Sequence, residues 1–250
     1  MKGKTIMILF KLFKQYWVRF WMLYAGLSTM GRIATALAAW FSPPYKGRRY
    51  LAKFNKNGYI SPSASVYCNN LKLGNNIFIG DRVIIYKNKK SVGGVTIGKN
   101  VSIYNDSIIE VGGGGSFIIG DNTHIQPHCQ FSAYKGTIEI GCNVQIAPKC
   151  AFYPYNHGFT PGEIIMNQPI ETKGGIFIAD NVWLGFGVIV LDGVRIGNGA
   201  VIGAGAVVNH DIPDNAIAAG VPARIIKMRD GIDINIQLLK LPIFNKREIS

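Results

Sequence analysis

At 250 residues the chain can hold one large domain or a domain with an appendage, and 48% hydrophobic against 16% charged residues with 30 glycines describes many tight turns around a continuous apolar interior. The net charge of +13 is not that of a nucleic-acid binder, because it is confined to one end: residues 1–80 contain no Asp or Glu and carry +12, while residues 81–250 carry +1. Cys68, Cys129, Cys142 and Cys150 form no CxxC pair and no disulfide framework; three of the four are expected at inward positions of the repeat described below, as small core residues of a reduced compartment.

In chain order, the first element is a helix over residues 5–25, where Phe10, Phe13, Tyr16, Trp17, Phe20, Trp21 and Tyr24 alternate with Lys11, Lys14 and Arg19. A bilayer-spanning helix needs about 20 apolar residues. The uncharged runs here, 20–31 and 33–45, are too short, and the second ends at Pro43 and Pro44. Basic residues among aromatic ones suit a helix lying in the headgroup plane, with packing against the end of the fold or another subunit as the alternative. No small-residue cleavage site follows an uninterrupted apolar stretch, which argues against a cleaved signal peptide.

From about residue 60 the sequence repeats every six residues. The clearest hexads begin at Ile178, Leu184, Val190, Ile196, Ile202 and Val208, with Val182, Val188, Val194, Ala200, Ala206 and Ile212 at their fifth positions. Earlier ones begin at Leu73, Ile79, Ile85, Ile97, Ile103, Ile119, Ile125, Phe131, Ile140, Ile146 and Phe152. A period of six matches neither an amphipathic strand nor a helix, and three hexads make one triangular coil of an all-β, parallel β-helix. The 18-residue spacings Ile79 to Ile97 and Ile178 to Ile196 predict that each pair stacks directly, with Gly, Asn and Asp supplying positive-φ corners. Where the spacing grows to 22 from Ile97, 21 from Ile119 and 38 from Ile140, something protrudes; the last is a long loop over about 157–175. The expected division is a basic amphipathic segment over 1–56, the β-helix over 57–229 and a tail over 230–250.

Over residues 60–229, NVWLG, VIGAGAVV, the DIP turn and AGVPARIIK occur together in that order. In this the chain resembles hexapeptide-repeat O-acetyltransferases of the galactoside, maltose and lipopolysaccharide- or capsule-modifying type. The resemblance implies a left-handed coil, a homotrimer with active sites between subunits, and transfer from acetyl-CoA through a ternary complex. It places the general base at His157, with the backbone near Gly185 and Phe186 holding the oxyanion. It places CoA against Trp183, Gly185, Phe186, Ala204, Asn209, His210, Arg224 and Lys227, the last two meeting phosphates and the small Gly187 and Gly205 making room for the pantetheine arm. Asn209-His210 stands where relatives often carry Thr-Lys, and Phe186 where the galactoside enzymes carry Ser.

For the acceptor, the galactoside enzymes hold their sugar with an Asn where this chain has Pro127, which argues against a galactoside. Gln126, His128, Tyr134, Tyr155 and Asn156 are the candidate acceptor contacts, with Lys135 and Glu163 as further ones. The acceptor expected from the basic aromatic N-terminus is a glycan or lipid-linked glycan met by a cytoplasmic protein peripheral on the inner face of the membrane; a free small sugar or antibiotic is the alternative. No metal is expected: in a γ-class carbonic anhydrase reading, His124 and His128 are four apart and point to different parts of a face. A serine acetyltransferase or a sugar-nucleotide transferase needs a larger N-terminal domain, and a tethered non-catalytic scaffold remains the non-enzymatic reading.

Overall fold

The computed structural model describes residues 2–229 and 231, so the expected tail over 230–250 lies, apart from Gly231, outside the described residues. From Tyr59 onward short strands stack in parallel on three faces of a β-helix. On the first face Ile60, Ile79, Ile103, Ile125, Ile146, Leu184 and Ile202 lie one above another. On the second the column is Val66, Ile85, Ile109, Phe131, Phe152, Val190 and Val208. On the third it is Leu73, Ile97, Ile119, Ile140, Ile178 and Ile196. The first and fifth hexad residues both point inward and form one continuous core. Burying each such aliphatic side chain is worth about 1.5–3 kcal/mol, which is why a narrow core suffices. The final strand, Arg224–Met228, runs antiparallel along Ala216–Ala219 and covers the edge that the last coil would otherwise leave open.

Two corners are regular. Between the third and first faces, Asn76, Asn100, Asn122, Asn143, Asn181 and Asn215 all adopt φ of 56–58°. Asparagine tolerates this left-handed conformation, and its amides also bond along the axis: Asn76 Nδ2 donates to Asn100 Oδ1 (3.2 Å) and Asn100 Nδ2 to Asn122 Oδ1 (3.0 Å). Between the first and second faces the same conformation is imposed on Arg82, Asp106, His128 and Lys149, then on Gly187 and Gly205.

The third corner is where residues are added. Between second-face and third-face strands the chain makes excursions at 88–94, 113–116, 135–137 and 154–175. The first corrects one expected register. Ile79 does not stack on Ile97 but on Ile103, 24 residues on, because the 88–94 excursion inserts one extra hexad before the third face; Ile178 and Ile196 do stack at 18. Of the cysteines, Cys129 and Cys150 are buried at inward corner positions and Cys68 packs part-buried on the core, whereas Cys142 sits part-buried at the asparagine corner, its N–H donating to Asp180 Oδ1.

The N-terminal segment forms helix α1 (Lys2–Leu23), helix α2 (Thr29–Ala39) and a 3-10 helix over Tyr45–Phe54. Ser28 caps α2 by accepting a hydrogen bond from Gly31 N–H (3.1 Å). Gly31 is required in its place, since a Cβ there would lie 2.8 Å from the Gly26 backbone. Val18, Met22, Ala38, Ala39, Leu51 and Ala52 pack on Tyr59, Phe78 and Tyr104, whose rings point outward from the first three coils of the first face. Arg32 fastens α2 by donating to the carbonyls of Pro62 and Ala64, both at 2.8 Å. The packing alternative therefore holds for the C-terminal half of α1. Residues 6–13 of α1 are exposed, with Phe10 and Phe13 in ring contact with Phe41, and among the described residues no helix is long and apolar enough to cross a membrane.

Candidate active site

The 154–175 excursion is a two-stranded antiparallel ribbon, not an irregular loop: Asn156 and His157 pair with Glu171 and Ile170. His157 thus lies on the rising strand, exposed, with its backbone fixed by pairing and by the Gly158 N–H to Pro169 carbonyl bond at 2.9 Å. Two side chains hold the ribbon. Gln168, buried within it, accepts from Thr160 N–H (2.7 Å) and donates to the carbonyls of Thr160 and Glu163. Asp192, buried in the next coil, accepts from Thr172 Oγ1 (3.0 Å) and from the N–H groups of Lys173 and Gly175.

Beside His157 stands an aromatic wall. The Tyr155 ring lies 6.4 Å from the His157 ring, 5.7 Å from Tyr134 and 6.2 Å from Tyr153. Tyr134 fits because Gly112 and Gly113 beneath it carry no Cβ; one at Gly112 would lie 2.5 Å from its ring. Burial, followed by the neighbouring Tyr155 and Glu110, pushes the Tyr153 hydroxyl above its ordinary pKa, so it is a neutral hydrogen-bonding group. Tyr153 and the Gln130 that bonds it escaped the sequence reading; their only signal was their place as outward neighbours of Phe152 and Phe131.

A second cluster occupies the other end of the second face. Gln126, His128, Lys149, Gly185, Phe186 and Ala204 lie in successive coils at the corner between the first two faces. Lys149 Nζ sits over the Phe186 ring at 5.6 Å, and Trp183 and Phe186 are both more than half exposed. Gly185 is set by its own fold: a Cβ would lie 2.7 Å from Ala204 N. Its N–H already donates to Ile202 carbonyl (2.8 Å), so of the two expected oxyanion donors only the Phe186 N–H makes no hydrogen bond among the described residues. Lys149 was missed by the sequence reading: it takes φ 63° at a corner that also holds Arg82, Asp106 and His128 in the left-handed conformation, so its place there did not set it apart.

The remaining predicted residues are not gathered at that corner. Arg224 and Lys227 stand on the closing strand opposite Ala219 and Ile217, on the first face. Asn209 and His210 follow the last second-face strand, with His210 Nδ1 2.7 Å from Asn209 Oδ1. Lys135 takes φ 62° in the turn after Tyr134, and Glu163 contributes its carbonyl to Gln168 inside the ribbon. Among the described residues no hydrogen bond or ring contact joins His157 to Trp183, Phe186 or Lys149. The histidines do not form a metal centre: His124 lies beneath Arg49, His128 points toward Asp106 at 4.0 Å, and no cluster of three or more His, Cys, Asp or Glu among the described residues could hold an ion. A cavity of about 360 Å³ between α2 and the first coils holds none of these residues, and its Arg48 and Asp81 pair with each other at 3.3 Å.

Residues 175–210 match the family described as bacterial transferase hexapeptide (six repeats). The chain is 33% identical over 143 residues to WbbJ of Escherichia coli (strain K12), a candidate O-acetyl transferase of lipopolysaccharide biosynthesis; the match covers 54% of this chain and 72% of that protein. It is 41% identical over 109 residues to the galactoside O-acetyltransferase of the same organism, covering 44% of this chain. It is also similar, at 27% identity and a TM-score of 0.43, to a hexapeptide-repeat-containing acetyltransferase of Vibrio cholerae solved with acetyl-CoA, covering 57% of this chain and 72% of that one. Several matches are partial: the chain spans 42% of the length of the E. coli galactoside enzyme and 24% of its Lactococcus lactis counterpart.

Proposed function

Since the chain belongs to the hexapeptide-repeat acetyltransferase family, we propose that it moves an acetyl group from acetyl-CoA to a sugar hydroxyl of a cell-surface polysaccharide or its lipid-linked precursor. The observation that carries this reading is the placement of His157, exposed on a ribbon that pairing, Gln168 and Asp192 hold in one position, beside a wall of tyrosine rings suited to stacking against a sugar. His157 takes the hydroxyl proton, the oxygen attacks the thioester carbonyl to form the C–O bond and a tetrahedral oxyanion, and on its collapse the C–S bond breaks and the same imidazole returns the proton to the departing CoA thiolate. The Phe186 N–H is the donor left for the transient oxyanion. Trp183, Phe186 and Ala204 present an apolar ledge for the pantetheine arm, while Arg224 and Lys227 supply cations for its phosphates. Tyr134, Tyr155 and Asn156 on one side, with Gln126 and His128 on the other, contact the acceptor.

His157 and the ledge occupy opposite ends of the second face, so the working unit is a homotrimer in which His157 of one copy meets the ledge of the next. The protein acts on the inner face of the cell membrane, where lipid-linked glycans are assembled. His157→Ala should lower turnover of acetyl-CoA with a glycan acceptor about 10²–10⁴-fold while leaving CoA binding by calorimetry intact. Unchanged turnover removes the assignment.

A further inference from the structure

We infer that the bare side of the N-terminal helices is a docking surface for an anionic lipid bilayer; the inference deepens the membrane placement above and rests on none of the catalytic chemistry. The helices are two-sided. Val18, Met22, Ala34, Ala38 and Ala39 are buried between the helices and against the first coils. On the opposite face of α1 Leu9, Tyr16 and Leu23 each keep more than 60% of their surface, as does Met30 on α2, and Trp40 at the end of α2 keeps 74%. Scattered exposed apolar residues need no explanation, but a contiguous set on one pair of helices does.

Charge selects the occupant. Lys11 is exposed along α1, Lys14 lies over the Phe10 and Phe41 rings at 5.6 and 5.5 Å, Arg19 is exposed with its guanidinium 5.8 Å from the Phe54 ring, and no acidic residue occurs before Asp81. A second copy laid on this surface would oppose two segments of like charge. A membrane of anionic headgroups complements them, with the apolar side chains entering the headgroup boundary, the aromatic rings at the interface and the lysines beside the phosphates. Because no described helix can span, the surface lies on the bilayer and leaves the β-helix outside it.

The test is sedimentation of the full-length protein with vesicles of phosphatidylcholine alone and with about 30 mol% phosphatidylglycerol, at low and high salt. The protein should pellet with the anionic vesicles and be released by salt; Lys11→Gln should bind about fivefold more weakly. The combined variant Leu9→Asp, Tyr16→Asp, Leu23→Asp should stay in the supernatant with an unchanged melting curve and unchanged transfer to a soluble acceptor. Failure of the native protein to pellet, equal pelleting by the combined variant, or a drop in that variant's native mass showing that the surface pairs copies, each overturns the proposal. None of these outcomes bears on His157, whose assay needs no vesicle.

Discussion

His124 shows how a single side chain reports its surroundings. Its Nδ1 is buried with no hydrogen-bond partner, and Arg49 Nη2 stands 3.2 Å from its Nε2. Burial first, and the Arg49 charge second, hold its pKa below the ordinary 6.5. The unfolded chain therefore binds a proton on this ring at higher pH than the folded one, so stability is complete above about pH 6.5 and is lost as pH falls through that value toward the folded pKa. Denaturant midpoints should drop between about pH 7.5 and 5.5, and His124→Gln should flatten the drop. The core answers to a different force. The Phe131 and Phe152 rings stack at 4.5 Å with 9° between their planes, both fully buried, and Phe152→Ala should cost about 3–5 kcal/mol in the same experiment.

At the scale of elements, the ribbon carrying His157 is rigid only as far as its anchors. Asp192 accepts three hydrogen bonds from Thr172, Lys173 and Gly175, and hydrogen bonds to a charged acceptor are worth about 1.5–3 kcal/mol each. Asp192→Ala should therefore speed hydrogen exchange of the amides over 170–175, leave that of the distant first coils unchanged, and lower kcat by misplacing His157. Retained protection in that segment would show that strand pairing alone holds the ribbon. The position of the excursion was readable from the 38-residue spacing; its pairing was not, because Asn156-His157 and Ile170-Glu171 meet only after the chain reverses.

For the whole molecule, the N-terminal helices are part of the fold's surface as well as a separate amphipathic segment. Removing residues 1–56 should expose Tyr59, Phe78 and Tyr104 together and yield a β-helix that aggregates, whereas the three Asp substitutions on the bare side should leave it monodisperse. The trimer reading makes its own prediction. Inactive His157→Ala and inactive Phe186→Asp chains, mixed and reassembled, should regain activity, because some junctions then pair a native histidine with a native ledge. No recovery would place both groups in one copy.

The sequence by itself determined what repeats, the six-residue period and the inward Ile, Leu, Val and Phe columns, because these are imposed on every coil by the same local geometry, and the 38-residue spacing marked the site of the long excursion. It also carried His157 and the C-terminal motifs by resemblance. What only the tertiary structure decided are the relations between distant segments. An extra hexad at 88–94 moved Ile79 from Ile97 to Ile103, since a whole-hexad insertion leaves the local pattern intact. Cys142 fell at a corner, Lys149 came over Phe186, Gly185 spent its N–H on Ile202, and Asp192 met the far strand of the ribbon. The helices, likewise, could be read as amphipathic from spacing, but which side the β-helix covers depends on Tyr59, Phe78 and Tyr104 arriving side by side from three successive coils.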